Sequence, residues 1–224
     1  MPIERVNIKD KWALLYQGPK MIKEKCVWWQ RTSEQLGQRM LRFPLSANAY
    51  TWITLLVGIL GYVFIAHAYT ITGLIFFILA GLFDVIDGAV ARAGEKSSHY
   101  GAFLDGSLDR FVDFFVIFSY FKLAIITPYL SLGSWVALAV FCAIMPSFEV
   151  AYANHRKAVD DPNETKIWRI LNRGEMYPLM LLVILVSIFQ PIWAGYVLAF
   201  WVVLAAITTL QTLYLALHFA KKAQ

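Results

Sequence analysis

The stretch DVIDGAVARAGEKSSHYGAFLDGSLD, residues 84–109, carries four aspartates at helical spacings. Asp84 and Asp87 stand three apart, and Asp105 and Asp109 stand four apart, so on helices each pair shares one face. The segment 94–100 between them is short and polar, and both flanks are apolar. The two flanks therefore fold back antiparallel and bring all four carboxylates to one depth. Asp84 precedes Arg92 by eight residues, roughly 12 Å along a helix, which puts the cluster below the headgroups of a bilayer. A charge at mid-bilayer costs roughly 2.5–3.5 kcal/mol even on the lenient insertion scale, and four like charges repel one another as well. They persist there if most are protonated or if divalent cations lie among them. Oxygen ligands, with no histidine or cysteine at matching spacing, favour Mg2+, Mn2+ or Ca2+ over zinc.

Gly88 and Arg92 extend this chemistry. Gly88 lacks a Cβ and lets a ligand approach the helix backbone, although small residues also serve helix packing in membranes. Arg92, at the mouth of the cluster, is either a cytoplasmic anchor or a fork for phosphate. Acids, divalent ions, bare backbone and an arginine together suit a nucleoside diphosphate.

The elements that position these residues are membrane helices. The 224-residue chain is 59% hydrophobic and 16% charged, with a mean hydropathy of +0.57. A soluble domain is nearer a quarter charged. The expected fold is all-α and integral to the membrane, with six spans: Tyr50–Ala66, Thr70–Ala93, Gly101–Phe121, Ser134–Tyr152, Met176–Gln190 and Trp193–Phe219. Continuous apolar runs exclude an alternating barrel pattern. Residues 1–44 form a basic arm with an expected amphipathic helix on the membrane surface, and 45–224 form the six-span membrane domain. Lysine and arginine collect in the arm, at Arg92 and Lys96, between Arg156 and Arg173, and at Lys221 and Lys222. This bias puts both termini and the acidic cluster on the cytoplasmic side. The net charge of +5 flanks apolar spans and forms no nucleic-acid motif, which excludes DNA and RNA as partners. Cys26 and Cys142 are expected to be unlinked thiols.

Asp84, Asp87, Gly88, Ala91, Arg92, Gly101, Asp105 and Asp109 spell D-x2-D-G-x2-A-R-x8-G-x3-D-x3-D. This resembles the signature of the CDP-alcohol phosphotransferase family, with every fixed position filled. The basic surface helix and the six spans resemble the family's architecture. SANAY, Ser46 to Tyr50, is similar to the SPN segment that opens the family's first span, with Ala47 in place of proline. The resemblance implies an enzyme that splits a CDP-linked lipid at its pyrophosphate: an acceptor hydroxyl attacks, CMP leaves and a phosphodiester forms. It implies Asp84, Asp87, Asp105 and Asp109 as ligands of two Mg2+ or Mn2+ ions, with Asp109 also the general base. It implies Gly88, Ala91, Arg92, Ser98, Gly101 and Asn48 as nucleotide contacts, and a homodimer.

The acceptor is read from weaker signals. Arg156, Lys157 and Arg173 lie in a basic cytoplasmic stretch that serves either as positive-inside charge or as a pocket for a phosphorylated acceptor. NRGEM, Asn172 to Met176, and Tyr152 with Arg156 and Lys157 loosely resemble the inositol-phosphate-accepting branch. The expected partners are a CDP-lipid donor, a small polar acceptor and membrane lipids. Glycerol 3-phosphate or serine as acceptor, a soluble CDP-alcohol as donor and, from another class, a divalent-cation transporter are the alternatives. Asp113 is expected to be a buried, hydrogen-bonded carboxylate, and Glu149 a weaker site candidate.

Overall fold

A computed structural model describes residues 45–93, 98–159, 167 and 169–220, without the side chains of residues 92 and 93. The basic arm with its surface helix, Lys96 and Cys26 lie outside the described residues. The described residues form six α-helices: α1 Ala47–Ala66, α2 Thr70–Ala93, α3 His99–Ser119, α4 Leu132–His155, α5 Arg173–Phe189 and α6 Pro191–Phe219. A short 3-10 turn, Tyr120–Lys122, follows α3. No strand occurs among the described residues.

Local chemistry marks the helix starts. The Ser46, Ser98 and Ser131 hydroxyls accept from the N–H groups of Ala49, Gly101 and Ser134, each satisfying a donor that the first turn leaves orphaned. Glu175 accepts from the Asn172 N–H at the start of α5. Pro191 occupies the first turn of α6, where no N–H is needed.

Helices α1, α2, α4 and α6 are long and apolar enough to cross a membrane. The other two fall short for physical reasons. Helix α3 carries Asp105, Asp109, Arg110 and Asp113, and α5 has only 17 residues.

Packing centres on α1 against both α2 and α3, and on α6 against α4 and α5. Helices α2 and α3 barely touch each other, so α1 acts as the spacer that holds the two acidic helices at a working distance. Small residues permit the close contacts. A Cβ on Gly73 would fall 2.6 Å from the Gly61 carbonyl oxygen of α1. Two buried tyrosines tie α5 to its neighbours: Tyr177 Oη donates to the Phe77 carbonyl of α2 at 2.8 Å, and Tyr120 Oη to the Met180 carbonyl at 2.9 Å. Both bonds satisfy polar atoms that water does not reach.

Candidate active site

The two acidic pairs converge. One carboxylate oxygen each from Asp84, Asp105 and Asp109 lies within 4.8 Å of the others. Asp87, 3% exposed, stands outside that trio, but it lines the same cavity of about 550 Å³ together with all three. Apolar side chains of α2 and α5, including Ile78, Leu82 and Leu181, form the rest of that wall.

A second cavity, of about 190 Å³, opens beside the first between α1, α2 and α3. Asn48, Gly88, Ala91, Ser98 and Gly101 line it, together with Asp87 and Asp105. Five of the six residues expected at a nucleotide therefore share one small chamber with two of the acids. Thr51, not foreseen, lines it too. A Cβ at Gly101 would lie 3.1 Å from Ser98 Oγ and 3.2 Å from Asn48 Oδ1, so a side chain here would close the chamber. Arg92 is in the last turn of α2, and its side chain lies outside the described residues.

Arg173 spans the acids. Its Nη1 is 2.8 Å from Asp84 Oδ1 and 2.7 Å from Asp109 Oδ2, and its Nε is 3.3 Å from Asp113 Oδ1. A cation in the first turn opposes the helix dipole, so attraction to three carboxylates, not helix stability, explains arginine at this position. Tyr177 supports it one turn on, with the guanidinium 5.8 Å from the ring centre.

Asp113 is 1% exposed and is held by Arg110 at 2.9 Å as well as by Arg173, the buried hydrogen-bonded carboxylate expected. Arg156 and Lys157, by contrast, are exposed and line neither cavity. Arg156 lies 5.8 Å from the Tyr152 ring centre. Glu149 also lines neither cavity, and its Oε2 is buried without a hydrogen-bond partner among the described residues. Cys142 is a buried free thiol. Sequence reading passed over Arg110 and Ser147, and placed Arg169 only within the basic cytoplasmic stretch. For Arg110 a signal existed: an arginine inside a span, between two aspartates, needs partners.

The donor set fits a hard divalent cation. Three carboxylates are within joint reach of one ion. The buried Asp87 Oδ2 beside them has no hydrogen-bond partner among the described residues, a costly state for an acceptor unless a cation or proton serves it.

Residues 45–211 match the model of the CDP-alcohol phosphatidyltransferase family. The chain is 29% identical to archaetidylinositol phosphate synthase of Pyrococcus horikoshii, over 81% of this chain and 88% of that protein. It is 31% identical to a bifunctional IPC transferase and DIPP synthase of Aquifex aeolicus, over 75% of this chain but 38% of that protein. Among solved structures, phosphatidylinositol phosphate synthase of Mycobacterium tuberculosis with CDP-DAG bound superposes with a TM-score of 0.64 at 22% identity, covering 83% of this chain and 94% of that one. The same enzyme has been crystallised with manganese and citrate. A family signature, a carboxylate cage and a membrane-helix scaffold agree: this chain belongs to the CDP-alcohol phosphatidyltransferase family and is a membrane transferase of phospholipid synthesis.

Proposed function

We propose that the chain transfers a phosphatidyl-type group from a CDP-lipid to a hydroxyl of an inositol phosphate, with release of CMP. The observation that carries this reading is Arg173. Its Nη1 contacts both Asp84 and Asp109, which puts a cation where an anionic acceptor would be drawn in beside the proposed general base. The relatives named archaetidylinositol phosphate synthase and phosphatidylinositol phosphate synthase support the same acceptor class.

In this reading Asn48, Gly88, Ala91, Arg92, Ser98 and Gly101 receive the cytidine diphosphate. The apolar wall of Ile78, Leu82 and Leu181 takes the lipid chains. Asp109 accepts the proton of the acceptor hydroxyl. The hydroxyl oxygen bonds to the lipid-bearing phosphorus, and the bond from that phosphorus to the bridging oxygen breaks, so that CMP departs with the bridging oxygen. Asp84, Asp87, Asp105 and Asp109 would hold two Mg2+ or Mn2+ ions, whose contribution is to polarise the phosphoryl oxygens and stabilise the departing phosphate. Arg173 holds Asp109 in place and offers N–H donors to the acceptor. In this reading the acceptor role goes to Arg173, which lines the larger cavity, rather than to the exposed Arg156 and Lys157.

The wider arrangement belongs to the same reading. It comprises six spans in a 45–224 catalytic domain, a 1–44 arm lying on the membrane surface, both termini and the active site on the cytoplasmic side, and a homodimer. The test is an acceptor screen with the purified chain, Mg2+ and either CDP-diacylglycerol or its ether analogue, following CMP. The reading expects release with inositol 1-phosphate, at least tenfold above that with inositol, glycerol 3-phosphate or serine. Faster release with one of the other acceptors would reassign the substrate. Metal flux into liposomes with no nucleotide consumed would overturn the reaction class.

A further inference from the structure

Helix α3 leads away from Asp105 and Asp109 to Tyr120, so the connection from α3 to α4 lies at the end of the molecule opposite the carboxylate cage. This connection is firmly tied. Ile125 is buried in the main core. The Ile126 N–H donates to the Pro191 carbonyl at 3.1 Å, and the Ile126 carbonyl lies against α6 where Gly195 has no Cβ. Trp135 of α4 donates Nε1 to the Pro128 carbonyl at 2.8 Å, and Thr127 Oγ1 donates to the Leu130 carbonyl at 2.8 Å. The tip that these bonds hold is Tyr129. Its φ is 61°, in the left-handed region that a Cβ disfavours and glycine adopts freely. The residue is 96% exposed, so packing among the described residues does little to offset that strain. What a tyrosine gains at this tip must come from outside the chain.

Its surroundings are apolar. Ile126 and Leu130 beside it are exposed, and so are Phe189 and Trp193, each two residues from the Pro191 that Ile126 contacts. No Asp, Glu, Lys or Arg occurs in residues 123–148 or 176–220. The nearest charge along the chain, the exposed Lys122, has a stem long enough to keep its ammonium in water while apolar neighbours are immersed.

Helix length gives the depth of this surface. Arg173 opens α5 on Asp84 and Asp109, and α5 has 17 residues, roughly 25 Å at 1.5 Å per residue. A bilayer hydrocarbon core is about 30 Å thick. A helix that begins at an acidic cage near one boundary therefore ends, at Phe189, near the opposite hydrocarbon edge. The bond from Ile126 to Pro191 sets the α3–α4 connection at the same level. Here acyl chains, headgroups and water meet, and tyrosine and tryptophan are favoured because the ring takes the apolar layer and the polar group the wet one.

We propose that Ile126, Tyr129 and Leu130, with Phe189 and Trp193, form a foot seated in the lipid headgroup layer of the leaflet opposite the cage, with Tyr129 as its anchor. The foot sets the depth of that end of the bundle, whichever acceptor the cage serves. Water is a poor occupant for an uncharged patch of large apolar side chains. A second copy in the same bilayer would meet the flanks of the helices rather than their ends.

The full chain in phosphatidylcholine nanodiscs tests this, with a nitroxide attached at Tyr129→Cys or at Leu130→Cys. A Cys26→Ser background leaves Cys142, which is buried, as the only other thiol. Collision rates with oxygen and with a water-soluble nickel chelate are compared, and lipids labelled at the headgroup and on the upper acyl chain calibrate depth. At both positions the ratio of oxygen to nickel collisions should exceed that of a free nitroxide in buffer by about threefold or more and fall between those of the two labelled lipids. A ratio equal to that of the free nitroxide would put the connection in water and overturn the foot. Low rates with both reagents would put protein over the patch and overturn it equally. The native side chain is tested by adding Tyr129→Asp to the Leu130→Cys protein, since aspartate tolerates left-handed backbone but not the apolar layer. With the thermal midpoint retained, the Leu130 ratio should drop towards that of the free nitroxide. An unmoved ratio would remove Tyr129 as the anchor.

Discussion

The two sides of the carboxylate cage are built by opposite means. The α1–α2–α3 side is a small chamber lined mostly by uncharged residues, Asn48, Ala91, Ser98 and Gly101 among them, over two acids. The α3–α4–α5 side is crowded with charge: Arg110 and Arg173 share Asp113, Arg173 reaches Asp84 and Asp109, and Arg169 joins Arg110 on Ser147. The first side leaves room for a ligand that brings its own phosphates and metal ions. The second presents fixed cations to a ligand that brings an anion. Under the proposed function, separate substrates would meet separate electrostatics, with the shared acids between them.

Substitutions can break or sharpen that contrast. The largest effect should come from Asp109→Asn, which removes the proposed shared base. CMP release should fall by roughly 10²–10⁴-fold, the usual worth of general base catalysis, while thermal unfolding shows the fold retained. Next, Arg173→Gln should lower kcat/KM for the acceptor about a hundredfold and change KM for the CDP-lipid by less than about threefold. An equal rise in both KM values would show that the two sides are one site. Gly101→Leu should do the reverse, raising KM for the CDP-lipid about tenfold with the acceptor KM unmoved, because its first carbon already lies 3.1 Å from Ser98 Oγ. Gly195→Ala is a purely structural control. Its Cβ would fall 2.0 Å from the Ile126 carbonyl oxygen, so the backbone must shift, and the thermal midpoint should drop at a cost of about 1–3 kcal/mol without altering either KM. The smallest effect is expected of Arg156→Ala, which should change acceptor kinetics by less than about twofold, since this side chain is exposed and packs on Tyr152.

The same contrast explains what could be read from sequence. The smaller chamber, proposed for the donor nucleotide, draws most of its lining from residues 84–109, with spacings fixed by two helices and one short connection. The pattern therefore survives projection onto a linear chain. Helix α2 begins and ends at the expected residues, and α1, α4, α5 and α6 differ from expectation by a few residues at most. The role of α1 as a spacer between α2 and α3 was not legible, because apolar spans look alike whichever neighbour they choose. The side proposed for the acceptor was mostly hidden for a related reason. Arg173 joins residues 60 and 89 positions away, and Arg110 reaches Ser147 across 37, contacts that only the packing of α5 and α4 creates. Arg156 and Arg173 look equivalent in a basic stretch. What separates them is that α5 begins at Arg173 and aims it at the acids, whereas Arg156 caps α4 and faces outward.

The central claim is that Asp84, Asp87, Asp105 and Asp109 work by holding divalent ions at the boundary between the two substrate sides. Its most direct test is the rate of CMP release from a CDP-lipid as a function of free Mn2+, in the wild type and in Asp105→Asn. No release without divalent ions, and a metal requirement raised more than about tenfold in the variant, is the predicted result. Release at the full rate in chelator, or an unaltered Mn2+ dependence in Asp105→Asn, would contradict it.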